Sequence, residues 1–325
     1  MAGLLVVLEH DRGDMPVASL EALTLARTLA SDLGAEVEAV LIGDNAADLI
    51  PSCAEYGAAA VHHISNDMLS DYGPEAWGEA VVQLIGAVSP AAAMAVGTDR
   101  GNEVMAQIAA RLDLPFVANC MSIKPGDSWT ITRVQWGGSL LEDTTLTASL
   151  PLVSYGHHAV EATPAAEPGA ATVQVFSPEL DASLARTMIA DRVVLSEGVT
   201  LSTASMVVSG GRGVGSAEGF AQLEELAELL GGRVGCSRAV TNNGWRNHAD
   251  QVGQTGTRIA PEIYIACGIS GAIQHWVGAM ASKNILAINT DQEANMVTKA
   301  GYAVIGDLHK VVPAISEEIR RRRSA

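Results

Sequence analysis

The chain has 325 residues, of which 48% are hydrophobic and 18% are charged, and its formal net charge is −17. This length and composition predict about two globular domains with apolar cores and argue against a disordered chain. The negative charge argues against nucleic-acid binding, because affinity there comes mainly from lysine and arginine neutralising phosphates.

The start of the chain, its apolar runs and its cysteines predict a protein of the reducing cytoplasm. Residues 1–14 have no basic region before a short apolar run that ends at Glu9, so we interpret them as a first strand and not as a signal peptide. No apolar run approaches the roughly 20 residues of a membrane span, so we expect no membrane-embedded segment. The four cysteines form no CxxC pair and indicate neither a zinc site nor a disulfide framework: Cys53, Cys120, Cys236 and Cys267.

Strand patterns alternate with helical patterns through residues 1–197. Strands are predicted at residues 4–8, 37–42 and 91–96, and helices at residues 17–34, 74–89 and 102–112. This alternation predicts a mainly parallel sheet flanked by crossover helices. From residue 160 to residue 201 the composition changes to Pro, Ala, Thr and Ser around a strand-like segment at 172–176. We place the domain boundary at the end of this stretch, which gives domains of residues 1–197 and 198–325.

A second α/β domain follows, with a parallel sheet of its own. Strands are predicted at residues 205–208, 234–236, 263–267, 285–288 and 302–305, with a helix at 216–230. Each strand runs into glycine or polar residues, in the segments 209–213, 237–238, 268–271, 289–291 and 306–307. Because the carboxyl ends of parallel strands share one edge of a sheet, where ligands bind, the sequence predicts a ligand site at this edge.

The segment from residue 253 to residue 278 has the pattern of a dinucleotide-binding loop. Its strand is followed by a tight turn, residues 268–271, that opens a short helix carrying Gln274 and His275. Glycines, which lack a Cβ atom, let a ligand approach the backbone closely, and the free N–H groups at a helix start attract phosphate. We therefore expect a phosphate-containing ligand beside this turn.

Each of these features also has a purely structural explanation. The glycine-rich loop 210–215 is as consistent with a plain turn as with a phosphate loop, because Ser216 replaces the third glycine of GxGxxG. Taken singly, Ser237-Arg238 is typical of a solvated strand end and His275 of a core or surface histidine. Asp307 is typical of a helix cap. Their coincidence at one sheet edge is what favours a ligand site.

Catalytic and metal-binding alternatives are disfavoured. Residues 268–271 lack the final spacing of the GxSxG nucleophile elbow of hydrolases. The pairs His62-His63 and His157-His158 are adjacent in sequence, and adjacent side chains diverge on a strand or a helix, so we expect no shared metal ion. With few acid–base groups near the predicted loop, we expect a bound cofactor to supply the chemistry.

Six motifs follow one another between residues 207 and 313: VVSGGRG, CSRAV, QVGQTG, IYIACGISGAIQH, AINTD and GDLHKVVP. In this order they resemble the FAD-binding domain of the electron-transfer flavoprotein alpha subunit family. The first domain resembles the family more weakly, through LVVLEH at 5–10 and GNEVMAQIAARLDLP at 101–115. Two features depart from the family. Residues 241–245 read TNNGW where many relatives have an aspartate-alanine-glycine sequence, and Trp276 follows the histidine.

The resemblance implies that the second domain is Rossmann-like and binds FAD. The residues it implies at the flavin ring are Arg238, Thr255 and His275. Those it implies near the phosphates are Ser237 and Ser270, with Arg212 in the glycine loop and Asn289 and Asp307 at the adenosine end. The full set of predicted cofactor-binding residues is Arg212, Ser237, Arg238, Gln254, Thr255, Gly268, Ser270, Gly271, Ala272, Gln274, His275, Asn289, Asp291 and Asp307.

The function implied by the resemblance is that of the alpha subunit of a heterodimer. Such a subunit pairs with a beta subunit and carries electrons from dehydrogenases to a quinone-reducing or other acceptor, so it is an electron carrier and not a self-sufficient enzyme. Three alternatives remain open: a non-redox nucleotide-binding regulatory subunit, an electron-bifurcating variant of the family, and half of a nicotinamide dehydrogenase. The missing GxGxxG motif disfavours the last of these.

Overall fold

A computed structural model describes residues 2–11, 13–136, 140–189 and 199–323. The described residues form two compact units, one up to residue 189 and one from residue 199. The predicted boundary between residues 197 and 198 lies outside the described residues and stays a prediction.

The first unit is built on one mixed sheet. Its strands within the described ranges are β1 (Leu4–Val7), β2 (Val37–Ile42), β3 (Ala60–Ile64), β4 (Ala92–Gly97), β5 (Phe116–Lys124), β6 (Trp129–Gln135), β7 (Leu140–Leu146), β8 (Leu152–Gly156) and β9 (Thr172–Phe176). They lie in the order β7-β6-β5-β8-β4-β1-β2-β3-β9. The pairs β5–β6 and β6–β7 are antiparallel. All other neighbouring pairs are parallel, as predicted for the sheet as a whole.

Helices cover both faces of this sheet: α1 (Val17–Leu33), α2 (Ile50–Glu55), α3 (Pro74–Val88) and α4 (Asp99–Leu112). Because alternate strand residues point to opposite faces, Leu4 and Val6 pack with α1, whereas Leu5 and Val7 pack with α3 and α4. Helix α4 begins three residues earlier than predicted, because the Thr98 hydroxyl accepts a hydrogen bond from the Gly101 backbone N–H and caps it.

The antiparallel strands β5, β6 and β7 are absent from the prediction. Most residues of β7 are at least partly exposed, so the strand has no buried face and its sequence, LLEDTTL, does not alternate apolar and polar residues. Periodicity detects a strand through its buried face, so β7 gave no signal. Strand β6 does bury Trp129 and Ile131 in an alternating WTIT segment, which the prediction missed.

The second unit is built on a fully parallel sheet. Its strands are β10 (Met206–Gly210), β11 (Arg233–Cys236), β12 (Ile263–Cys267), β13 (Asn284–Asn289) and β14 (Tyr302–Ile305), in the order β11-β10-β12-β13-β14. The helices are α5 (Ala221–Leu229), α6 (Arg238–Asn242), α7 (Ile273–Ala279), α8 (Asn295–Lys299) and α9 (Leu308–Arg323). The predicted strands and their parallel pairing are confirmed.

Two apolar clusters hold this sheet between its helices. On one face Val208 and Ile265 pack with α5 and α9. On the other face Val207 and Tyr264 pack with α7 and α8. The sheet is thus covered on both faces, and its carboxyl edge remains for the loops that carry the polar residues. None of the helices in the described ranges is both long and apolar enough to cross a membrane.

Candidate functional site

A cavity of about 460 Å³ opens at the carboxyl edge of the second sheet. Cavities of about 300–1,000 Å³ are usual for small-molecule and cofactor sites. Its lining residues follow β10, β11, β12 and β13: Arg212, Gly213, Ser237, Arg238, Ala239, Gly268, Ile269, Ser270, Gly271, Ala272, Gln274, His275, Asn289, Asp291 and Ala294. The predicted ligand edge therefore coincides with the cavity.

Most of the predicted site residues line this cavity, and Gln254, Thr255 and Asp307 do not. Four lining residues were not predicted: Gly213, Ala239, Ile269 and Ala294. They carry no polar side chain, so a search for hydrogen-bonding or charged groups passes over them. Gly213 was the detectable one, since it belongs to the glycine-rich loop.

Glycines bring the loop after β10 against the loop after β12. The Gly211 amide donates to the Cys267 carbonyl at 2.8 Å, and the Gly213 amide donates to the Gly268 carbonyl at 3.1 Å. A Cβ atom on Gly211 would lie 2.2 Å from the Gly268 oxygen. Gly268 itself has a φ of +61°, in the left-handed region. These three glycines permit the two loops to approach each other, whereas we had expected the glycines to serve close approach of a ligand.

Two arginines supply positive charge at the cavity. Arg212 lies in a short 3₁₀ turn after β10, and Arg238 is the first residue of α6, after β11. Both are exposed and line the cavity. Within the described part of the chain neither guanidinium forms an ion pair with a carboxylate. In a chain of net charge −17, this pair of free cations favours an anionic ligand.

His275 lies in the cavity wall as a buried, neutral imidazole. Its Nε2 atom lies 2.7 Å from the hydroxyl of Tyr264, which is fully buried. Its Nδ1 atom is buried and has no hydrogen-bond partner among the described residues. Burial lowers the pKa of His275 to about 4, although the backbone of Val252 acts in the opposite direction. A neutral imidazole has one donor and one acceptor nitrogen, and Tyr264 engages only one of them.

Asn289 and Asp291 shape the loop after β13. The Asn289 side-chain amide donates to the Ile269 carbonyl at 3.1 Å and accepts from the Asp291 backbone N–H at 3.1 Å. Asp307 lies outside the cavity lining, and its carboxylate accepts from the His309 backbone N–H at 2.9 Å. It therefore caps α9, which was the structural alternative for this residue. Its role at an adenosine stays a prediction.

Gln254 and Thr255 are exposed in the loop of residues 253–257, beside α7. The Gln254 backbone N–H donates to the Gln274 carbonyl at 2.7 Å, which ties this loop to the helix that carries His275. The Thr255 hydroxyl accepts a hydrogen bond from the side chain of Gln251 at 2.9 Å. The predicted contact of Thr255 with a ligand stays a prediction.

The expectation for one of the two histidine pairs is wrong. His62 and His63 contact different partners, the Glu38 carboxylate and the Gly43 carbonyl, as expected on a strand. His157 and His158 instead stack, with ring centroids 3.7 Å apart, because His158 has a left-handed backbone with φ 60°.

This stack lies on a buried carboxylate. The Glu21 carboxylate accepts from both the backbone N–H and the ring of His158, and one ligand atom from each of Glu21, His157 and His158 lies within 4.8 Å of the others. The two ring planes are only 23° apart, so the nitrogen lone pairs of the two rings lie in nearly parallel planes.

Family models match both units of the chain. Residues 4–181 match the electron transfer flavoprotein domain, and residues 200–280 match the electron transfer flavoprotein FAD-binding domain. Among similar proteins is the electron transfer flavoprotein subunit alpha of Thermoanaerobacterium thermosaccharolyticum, 35% identical over 97% of this chain and 97% of the relative. The subunit alpha of Mycobacterium tuberculosis is 36% identical over 99% of this chain and 100% of the relative. Protein FixB of Clostridium saccharobutylicum is 34% identical over 99% of this chain and 98% of the relative.

Proposed function

Because the chain belongs to the electron transfer flavoprotein alpha subunit family, whose members are electron carriers and not self-sufficient enzymes, we propose that it binds FAD at the carboxyl edge of its second sheet. In this proposal it pairs with a beta subunit in the cytoplasm. It takes electrons from dehydrogenases and passes them to a quinone-reducing or other acceptor. FAD, when bound, supplies the redox chemistry, and the chain binds, orients and shields it.

One observation carries the proposal: two arginines that form no ion pair among the described residues and the buried imidazole of His275 line the same cavity. Arg212 and Arg238 fit an anionic ligand, and His275 fits a ligand with a hydrogen-bonding ring edge. FAD combines both properties, since a pyrophosphate joins its two ends. The residues present therefore fit this group.

The proposed placement of FAD follows the order of the loops. Arg238, Thr255 and His275 serve the flavin ring, and Ser237 and Ser270 serve the phosphates, with Arg212 beside them. The remaining polar residues of the edge serve the adenosine end, where Asn289 and Asp291 line the cavity and Asp307 follows β14. We further propose that residues 198–325 form the FAD domain.

The test is to produce the chain together with a beta subunit of the family and to examine the purified complex. We expect a visible flavin spectrum that dithionite bleaches. Heating should release a cofactor that chromatography identifies as FAD. Release of FMN would contradict the adenosine placement, and the absence of flavin would overturn the proposed function. An adenine nucleotide bound without flavin would favour a non-redox regulatory subunit.

A further inference from the structure

Gln251 joins two elements of the proposed FAD site. It is 3% exposed, and its side-chain amide lies between two threonine hydroxyls. The Nε2 atom lies 2.9 Å from the Thr255 hydroxyl, and the Oε1 atom lies 2.7 Å from the Thr241 hydroxyl. Thr241 belongs to α6, which begins at Arg238, so this one amide bridges the helix and the loop of residues 253–257.

The backbone around Gln251 holds this amide in place. Its N–H donates to the His248 carbonyl at 2.9 Å, and its own carbonyl accepts from the Thr257 N–H at 2.7 Å. A Cβ atom on Gly256 would lie 2.2 Å from that carbonyl oxygen, so the loop closes tightly over it. The backbone of Gln251 is therefore fixed, and its buried side chain contacts both hydroxyls.

The hydrogen bonds that join Thr241, Gln251 and Thr255 can be arranged in two ways, which differ in where the hydroxyl protons point. Thr241 has one proton, and two acceptors are within reach: Gln251 Oε1 at 2.7 Å and the Arg238 carbonyl at 3.0 Å. In the outward arrangement Thr241 donates to Gln251, and the Nε2 atom of Gln251 donates to Thr255. The hydroxyl proton of Thr255 is then free to point away from Gln251.

The inward arrangement follows from a half turn of the amide, which exchanges its oxygen and its nitrogen. Thr241 then donates to the Arg238 carbonyl and accepts from Gln251, and Thr255 donates to Gln251. In this arrangement the Thr255 hydroxyl can only accept a hydrogen bond from a partner other than Gln251. Both arrangements keep the two contacts of the amide, and no proton leaves any side chain.

We propose that Gln251 is a positioning residue that sets whether the Thr255 hydroxyl donates to the flavin ring or accepts from it. Oxidised flavin presents an unprotonated ring nitrogen, which needs a donor, and reduced, protonated flavin presents an N–H, which needs an acceptor. The outward arrangement matches the first state and the inward arrangement matches the second. A half turn of one buried amide thus serves both. The inference rests on the proposed function and on the placement of Thr255 at the ring.

A double-mutant cycle on the complex with the beta subunit tests this. Gln251→Met keeps the volume and removes the amide, and Thr255→Val keeps the shape and removes the hydroxyl. FAD affinity is measured by reconstitution of the flavin-free complex, and the midpoint potential by redox titration. We expect Gln251→Met to weaken FAD binding by about fivefold, the value of one net hydrogen bond. In the Thr255→Val background the same change should have no further effect.

The midpoint potential separates a reversing amide from a fixed one. If the amide reverses, Gln251→Met weakens the binding of oxidised FAD and of reduced FAD equally and leaves the midpoint potential unchanged. If the amide is fixed in the outward arrangement, Gln251→Met weakens the binding of oxidised FAD alone and raises the midpoint potential. If it is fixed in the inward arrangement, the substitution weakens the binding of reduced FAD alone and lowers the potential. Either shift overturns the reversal. An affinity loss that persists in the Thr255→Val background overturns the positioning role. Gln222→Met is the matched control, since Gln222 contacts Gly219 and His309 and does not line the cavity.

A measurement without FAD keeps the inference testable if a variant loses the cofactor. In the flavin-free complex labelled with ¹⁵N-glutamine, the side-chain signal lost in Gln251→Met identifies this amide. We expect it to shift in both Thr241→Val and Thr255→Val, and a signal that moves in neither overturns the bridge. A wild-type complex that binds no FAD would refute the proposed function, whereas FAD binding without coupling would refute this inference alone.

Discussion

At the scale of single residues, Arg238 is the side chain with the most direct electrostatic consequence. A unit charge about 4 Å from the ring at an effective dielectric near 20 contributes about 4 kcal/mol, which solvent reduces to about 1–2 kcal/mol. A cation favours the reduced, anionic flavin. Since about 59 mV corresponds to a tenfold change for one electron, Arg238→Ala should lower the first one-electron potential by about 50–100 mV. Redox titration of the complex measures it.

Two further variants test whether the change in potential comes from the charge of Arg238 and from its position at the ring. Arg238→Lys keeps the charge without the planar guanidinium, so its potential should fall between those of the wild type and Arg238→Ala. Arg212→Ala removes the same charge from the other arginine of the cavity, which we place near the phosphates. It should weaken FAD binding with a smaller change in potential. If Arg238→Ala retains FAD at an unchanged potential, Arg238 does not face the ring.

His275 should make stability depend on pH. Its folded pKa, about 4, lies below the ordinary value near 6.5, so the unfolded chain binds more protons between these values. The free energy of unfolding should therefore fall as the pH drops from about 6.5 to about 4, by about 3 kcal/mol from this residue. His275→Asn should flatten this part of the profile, measured by urea unfolding of the flavin-free complex. Equal slopes in the two proteins would contradict a buried, neutral His275.

The position of His275 was predictable, but its partner was not. The motif placed the histidine on a helix that opens after a glycine turn. The contact with Tyr264 depends on α7 folding back over β12, so that the ring reaches the second residue of that strand. Gln251 is a similar case, since neither of its hydroxyl partners is marked by spacing in the sequence. Local patterns position loops, and these pairings arise only when the loops are packed.

At the scale of elements, the two sheets differ in how far the sequence predicted their strands. The strands of the second sheet are short apolar runs bounded by glycine or polar residues, and all were predicted. The strands β3, β5, β6, β7 and β8 of the first sheet were not, although β8 is buried along its whole length. The predicted helix at 216–230 begins as a 3₁₀ turn, Glu218–Phe220, and continues as α5. Ala239, Ile269 and Ala294 of the cavity wall carry no polar side chain, so only the structure shows that they line the site.

The contact between the glycine loops gives a prediction at this scale. A Cβ atom on Gly268 would lie 2.8 Å from the Gly213 Cα and from a methyl carbon of Leu308, and the φ of +61° disfavours any side chain. Gly268→Ala should lower the free energy of unfolding by about 1–3 kcal/mol and weaken FAD binding as the loops separate. Urea unfolding and FAD reconstitution measure the two effects.

Gly231 is the matched control for that substitution. It has a similar φ of +67°, but a Cβ atom there would have no neighbour within 4 Å. Gly231→Ala should cost about 1 kcal/mol from backbone strain and leave FAD affinity unchanged. If the two variants bind FAD equally well, the close contact between the loops does not shape the site.

At the scale of the whole molecule, alternation of strands and helices predicted both α/β sheets, because each strand buried on two faces is an apolar run of its own. Surfaces that meet a partner were not predictable in the same way. Large apolar side chains stay exposed at the facing ends of β6 and β7, where Trp136 is 80% and Leu141 72% exposed, and on the edge strand β14, where Tyr302 is 64% exposed. Contiguous apolar patches are typical of surfaces covered in an assembly, whereas single exposed apolar residues are ordinary.

These exposed groups lead to a prediction about assembly. A partner that binds the folded chain stabilises it by about 2.7 kcal/mol when its concentration is 100 times the dissociation constant, so the beta subunit should raise both solubility and FAD occupancy. Produced alone, the chain should be poorly soluble or carry little flavin. Light scattering and the ratio of flavin to protein absorbance should show a heterodimer with nearly one FAD per pair when the two subunits are made together. A stable monomer with full FAD occupancy would contradict obligate pairing, because the site would then be complete within this chain.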